Sequence, residues 1–216
     1  MNRALMNQSL VAAAAMLAAG TLQAVTVTTG GTPDNPNGQV SSVAGTTTID
    51  FDSALPAGVS LTGQYSIVSG SSSGLYAAPP NSGSDANTSK YLTVPSGQSS
   101  GSVAIALGAD YNYYGFYWGS IDSYNSVSFL NGGSEVFSFT GTQAAALVPT
   151  SPTGTQSLAT YFNFFDLPLF DTVRMTSTQY AFETDNHAYG SVPLPATAPL
   201  LGIGLIGIGL ARRKRS

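Results

Sequence analysis

Short runs of alternating apolar residues, cut every few positions by Gly, Ser, Asn or Pro, constrain this chain most. Residues 102–107 put Val103, Ile105 and Leu107 on one face, the period of two that marks a half-buried strand. Residues 125–130 and 134–140 flank Asn131-Gly132-Gly133, a hairpin signal because such turns need positive φ. Their inward sets are Val127/Phe129 and Phe137/Phe139. Further strands are expected over 46–52, 59–68, 90–94, 112–119, 161–165, 172–176 and 179–184. The run 112–119 is aromatic on both faces, as suits a central buried strand. Only 142–147 reads as a short helix, and 30–45 and 79–89 read as loops. No internal repeat is present. The expectation is an all-β domain over 46–190, an antiparallel β-sandwich of jelly-roll type, preceded by a flexible segment over 25–45.

Composition agrees with that class. Charged residues make up 8% of the 216, against about 25% in an ordinary globular chain, so a highly charged helical protein is excluded. The 43% apolar content, with 11 Tyr and 10 Phe, is too rich for disorder. The absence of cysteine removes disulfides, thiolate zinc sites and cysteine nucleophiles. Without disulfides, such a chain is held by sheet packing or by bound metal. All eleven acidic residues lie between Asp34 and Asp185, where the basic ones are only Lys90 and Arg174. This acidic middle argues against nucleic acid, which needs clustered Lys and Arg.

Both ends carry targeting features. Arg3 precedes an apolar run over 10–19, Gly20 breaks it, and Ala24 offers a small residue for cleavage. That is the layout of a signal peptide over 1–24, read by the Sec translocon and removed by signal peptidase. At the other end, Val192-Pro193-Leu194-Pro195-Ala196 precedes an uncharged, mostly apolar stretch over 196–211, then Arg212, Arg213, Lys214 and Arg215. Sixteen helical residues span roughly 24 Å, slightly short of a bilayer core of about 30 Å. The basic run is a stop-transfer signal that stays in the cytoplasm. Gly202, Gly204 and Gly207 match the spacing of a dinucleotide fingerprint. They lack the strand before and the acidic residue after that such a site requires.

Proline-containing pentad, glycine-rich helix and basic cluster together resemble the PEP-CTERM sorting signal, in its VPLPA variant, with Leu194 where glutamate usually stands. The resemblance covers 192–216. It implies a Gram-negative bacterial protein, exported and held in the inner membrane with its ectodomain in the periplasm. An exosortase would then process it for the cell surface or the extracellular matrix, among exopolysaccharide and biofilm. The runs 113–125, with Tyr117-Trp118-Gly119-Ser120 and Asp122, and 180–190, with Ala181-Phe182-Glu183, look like one family of exosortase-dependent surface proteins. That likeness implies a β-sandwich ectodomain and no established activity.

Three sets of site residues follow from the sequence. Tyr113, Tyr117, Trp118, Asp122 and Asn125 form a candidate platform for stacking sugars, set against plain core packing of Phe116 and Trp118. Asp50 and Asp52 near the start, with Glu183, Asp185 and Asn186 near the end, form a candidate structural calcium site if the first and last strands pair. Such a site accompanies the alternative reading, a secreted carbohydrate-binding module. For hydrolysis, Asp110, Asp122 and Glu135 are the candidate carboxylates of a glycosidase. His187 is the single imidazole, expected at a surface or edge, and no G-x-S-x-G elbow surrounds a serine. The expectation is therefore a non-enzymatic surface protein.

Overall fold

The computed structural model describes residues 24–81, 87–148 and 159–193. Residues 1–23 of the expected signal peptide, Leu194, Pro195 and Ala196, the apolar stretch over 196–211 and the basic run lie outside the described residues. Among the described residues no helix is long and apolar enough to cross a membrane.

Strands dominate. In chain order they are β1 (Thr26–Thr29), β2 (Thr32–Pro33), β3 (Gln39–Val40), β4 (Thr47–Ile49), β5 (Ser60–Gly63), β6 (Ser66–Val68) and β7 (Tyr91–Val94). There follow β8 (Gly101–Tyr111), β9 (Tyr113–Trp118), β10 (Asn125–Asn131) and β11 (Ser134–Thr140). The helix α1 (Gly141–Leu147) then leads to β12 (Thr160–Phe165), β13 (Phe170–Ser177) and β14 (Phe182–Gly190). One sheet has the order β1-β12-β9-β14-β7-β6, with β4 also on β14, and the other the order β11-β10-β13-β8-β5. Pairing within both is antiparallel. Consecutive strands often change sheet: β8, β9 and β10 alternate between the two, as do β12, β13 and β14. The architecture is an antiparallel β-sandwich.

The sheets meet through aromatic side chains. Tyr114, Phe116 and Trp118 of β9 and Phe162 and Phe164 of β12 face Val127, Phe129, Val173 and Met175 across the interface. Phe129 lies 5.2 Å from Phe164 and 5.7 Å from Tyr114, ring to ring. Phe116 stands at the centre, near Trp118, Phe164, Phe182 and His187. Such rings contribute large apolar area together with preferred edge and stacked geometry.

The expected run 59–68 divides in two. Gly63, at φ +125°, ends β5 in one sheet, and β6 continues in the other. A Cβ at Gly63 would sit 2.2 Å from the Ser102 carbonyl oxygen, so the corner admits no side chain. The helix begins one residue before the expected 142. Thr140 caps it, with Gln143 reaching back to the Thr140 amide at 2.8 Å.

Two more differences concern the edges of the fold. Residues 25–45, read as a flexible segment, supply β1 on the edge of one sheet and the small ladder of β2 with β3. The last strand runs over 182–190, starting and ending later than the expected 179–184, and it carries a bulge. Asp185 is opposite Tyr117 and Ala188 opposite Gly115, so Asn186 and His187 together oppose Phe116. Asn186 takes φ 49° to do so. The bulge keeps Asp185 and Asn186 on the outer face and turns His187 inward.

Candidate binding cleft

Glu183 organises a cleft at one end of the sheet. It lies on the outer face of β14, 3% exposed. Its Oε1 accepts the Ala77 amide at 2.8 Å. That bond holds a tight turn in which Ser72 pairs with Tyr76. The same turn is held by Tyr91, whose hydroxyl donates to the Gly70 carbonyl at 2.7 Å. The other carboxylate oxygen, Oε2, has no hydrogen-bond partner. Burial raises the Glu183 carboxyl to about 7; the Ala77 and Glu183 amides and the nearby Ser120 side chain work against this, and the Asp122 charge adds to it.

The opposite wall is the turn between β9 and β10. There the Trp118 indole donates to the Ser120 carbonyl at 3.1 Å. The Tyr124 hydroxyl lies 2.8 Å from Asp122 Oδ2 and 3.0 Å from the Tyr180 carbonyl. Asn125 fastens this turn to the start of β14, donating to the Ala181 carbonyl at 3.2 Å and accepting from Ser177 at 2.6 Å. The cleft so enclosed has a volume of about 360 Å³. Three tyrosines (Tyr76, Tyr124, Tyr180), four serines and the two carboxylates line it, with Leu75 on the rim.

A second basin of about 140 Å³ continues from it, sharing Leu75, Tyr76 and Tyr180 and reaching Ser66, Thr93 and Ser96. Thr93 is the cross-strand neighbour of Glu183. Its hydroxyl is the other buried side-chain oxygen with no partner. Buried polar atoms are normally paired. These two orphans sit on neighbouring strands beneath the groove, closed to solvent, and a polar ligand group that displaced their cover would satisfy them.

The sequence-derived sets fare differently. Of the sugar platform only Asp122 reaches the cleft. Trp118 is in the core, and Tyr113, Tyr117 and Asn125 are fully or almost fully buried. No exposed aromatic platform forms from them, because the outer face of β9 is covered as well as the inner. The Tyr117 hydroxyl donates to the Pro80 carbonyl at 2.5 Å. Tyr113 hydroxyl contacts Ser41 and Asn163, each at 2.7 Å. Burial raises both phenols to about 12.

The first and last strands of the expected domain do pair, Ile49 opposite His187 and Thr47 opposite Tyr189. The five calcium candidates nevertheless do not gather. Asp50 caps its own turn through Ser53, and Asp52 accepts the Lys90 amide at 2.9 Å. Glu183 is in the cleft. Asp185 is fully buried, accepting from Ser89 at 3.0 Å and from the Asn186 amide at 2.7 Å. Asn186 donates to the carbonyls of Asn37 and Gln39. Among the described residues no three acidic or histidine side chains are grouped to hold a metal ion. Burial leaves the Asp185 carboxyl at about 8.

The glycosidase candidates also separate. Asp110 accepts from Asn131 near the hairpin turn, and Glu135 is exposed on β11, while Asp122 belongs to the cleft. His187 is not at a surface. It is fully buried between Tyr114 and Thr184, each 2.8 Å from a ring nitrogen, and burial lowers it to about 3. It is a neutral core residue. Sequence reasoning did not foresee that Glu183 and Asp122 share one cleft, nor that Tyr76, Tyr124 and Tyr180 line it. The one available signal was a carboxylate at 183 inside an otherwise buried strand.

Comparison with protein families and with curated proteins finds no match to this chain. Among solved structures, similar chains include the K2 cleaved adhesin domain of Lys-gingipain, at TM-score 0.42 and 13% identity, covering 69% of this chain and 100% of that one. Another is CpGH89CBM32-6 produced by Clostridium perfringens, at TM-score 0.33 and 10% identity, covering 67% of this chain and 100% of that one.

Proposed function

We propose that this chain is an exported, non-catalytic β-sandwich binding module that retains extracellular polysaccharide at the cell surface. The observation that carries the reading is the groove with two unpaired buried oxygens, Glu183 Oε2 and Thr93 Oγ1, framed by tyrosines and serines. A sugar offers hydroxyl donors for such oxygens and apolar faces for such rings. A glycan array probed with the full chain tests this. Binding that Tyr76→Ala weakens supports it, and an array without signal contradicts it.

Delivery belongs to the same reading. Residues 1–24 act as the export leader. Val192 to Ala196 act as the segment an exosortase recognises, 196–211 as the inner-membrane anchor, and Arg212 to Arg215 as the cytoplasmic stop. Proline lacks the amide hydrogen and disfavours helix at and before its own position, which suits recognition of such a pentad in extended form. Replacing Pro193 and Pro195 by alanine leaves the precursor uncut in the inner membrane of a host with the matching exosortase. Normal surface delivery of that variant, read by fractionation and immunoblotting, contradicts the sorting claim.

One observation favours a second reading. Asp122 and Glu183 share a cleft, and a carboxyl raised to about 7 is a usable general acid. A hydrolase would release new reducing ends from the captured glycan. The binding reading expects none over prolonged incubation.

A further inference from the structure

The groove has a charge character that narrows its ligand. Asp122 and Glu183 both line it, and Glu183 is nine-tenths buried with one oxygen unsatisfied. Lys90 and Arg174 are the only Lys or Arg among the described residues, and neither lines either basin. Nothing in the groove compensates a ligand's negative charge, so uronates, sulfates and phosphates are disfavoured. A neutral sugar hydroxyl could donate to Oε2 but would leave the Asp122 charge unbalanced and Glu183 inclined to keep its proton, whereas a cation draws Glu183 into its ionised form. An ammonium satisfies the orphan oxygen and offsets both carboxylates together, and charge-assisted hydrogen bonds are about twice as strong as neutral ones.

Resting on the binding-module reading, we infer that the groove selects a polysaccharide bearing free amino groups, a de-N-acetylated hexosamine polymer, and seats an ammonium against Glu183 Oε2 and Asp122. The second basin, reached past Tyr76 and Tyr180, takes a neighbouring sugar whose hydroxyl donates to Thr93 Oγ1. A polymer suits two joined basins better than a single sugar does. A bare divalent cation suits them less, because calcium takes six to eight oxygens. The Asp122 oxygen Oδ2 is already engaged by Tyr124, and Glu183 Oε1 by Ala77.

The test is calorimetric titration of the full chain, in EDTA, with three hexamers: glucosamine, N-acetylglucosamine and glucose, all β-1,4-linked. The glucosamine hexamer should bind at least about tenfold more tightly than the other two, the scale of one hydrogen bond to a charged group. Glu183→Gln keeps the Ala77 bond and shape but loses the charge. It should erase the preference, as should Asp122→Asn, with thermal unfolding no earlier than in the native protein. Equal binding of all three hexamers, or a preference that survives both substitutions, overturns the amine inference and leaves the binding-module reading standing. Dependence on calcium, seen as binding only when EDTA is omitted, overturns it in favour of a metal. No binding of any hexamer, together with a blank glycan array, overturns both.

Discussion

The two faces of the sheet built on β9, β12 and β14 are both buried, by opposite means. On the inner face Phe116, Trp118, Phe162, Phe164 and Phe182 pack against the other sheet. Burial there is non-directional and proportional to apolar area. The outer face carries Tyr113, Tyr117, Tyr161, Asn163, Asp185 and Asn186, and is roofed by the chain itself. Asn163 donates to the Gly30 carbonyl, Asn186 to Asn37 and Gln39, and Tyr117 to Pro80. Here each polar atom must find a partner or incur a desolvation cost. The comparison teaches that aromatic content on both sides of a strand does not make one side a binding platform. The open site arises at the sheet's end, where the roof stops and the turns holding Tyr76, Asp122 and Tyr180 leave a groove.

The largest expected effect is on the inner face. Phe116→Ala or Trp118→Ala should cost about 3–5 kcal/mol in denaturant-measured stability. A loss below 1 kcal/mol would mean the sheets do not meet there.

Acidity should sharpen the contrast next. Asp185 and Glu183 are raised to about 8 and about 7. A raised acid holds its proton longer folded than unfolded. Stability is therefore fullest below the unfolded values near 4, and falls as pH rises through the window up to about 8. The decline should amount to several kcal/mol, read from denaturant unfolding between pH 4 and pH 8, with Asp185 the larger contributor. Asp185→Asn should flatten most of it, whereas His187→Gln should leave the slope unchanged, because a neutral buried histidine with a value near 3 does not titrate there.

A smaller effect tests the roof. Gly38 has φ +83°, and a Cβ there would come 2.4 Å from the Tyr117 ring. Gly38→Ala should cost about 2 kcal/mol, from strain and displacement of the roof. Faster amide exchange should follow over 30–41, with the sandwich core unchanged. The smallest effect is at the exit. Asn112 binds Val192 in both directions, accepting from its amide at 2.7 Å and donating to its carbonyl at 2.8 Å. Asn112→Ala should cost about 1 kcal/mol and speed proteolysis just beyond residue 190.

Much of the inner face was legible in the sequence. Val103, Ile105 and Leu107, and the hairpin around Asn131-Gly132-Gly133, alternate with period two, and the structure places them as that pattern requires. The outer face was not legible. Its cover depends on contacts such as Asn186 to Asn37, about 150 residues apart, and no local pattern encodes them. His187 was misplaced because the bulge at Asn186 shifts the alternation by one, and a single polar residue in β14 does not announce the shift. The calcium set illustrates the same limit. Pairing of β4 with β14 was inferable, but whether carboxylates converge depends on which turn each one caps. Glu183 was grouped with carboxylates it does not meet, since only the packing of residues 71–77 shows what surrounds it.

The most direct test asks whether the proposed groove is where an amino-sugar polymer binds. Amide hydrogen exchange of the full chain should be measured with and without saturating glucosamine hexamer. The account predicts protection confined to 71–77, 120–124 and 180–183, the walls of the groove. Protection concentrated over 30–41 or along the exposed β11 edge, with the groove unchanged, would contradict it.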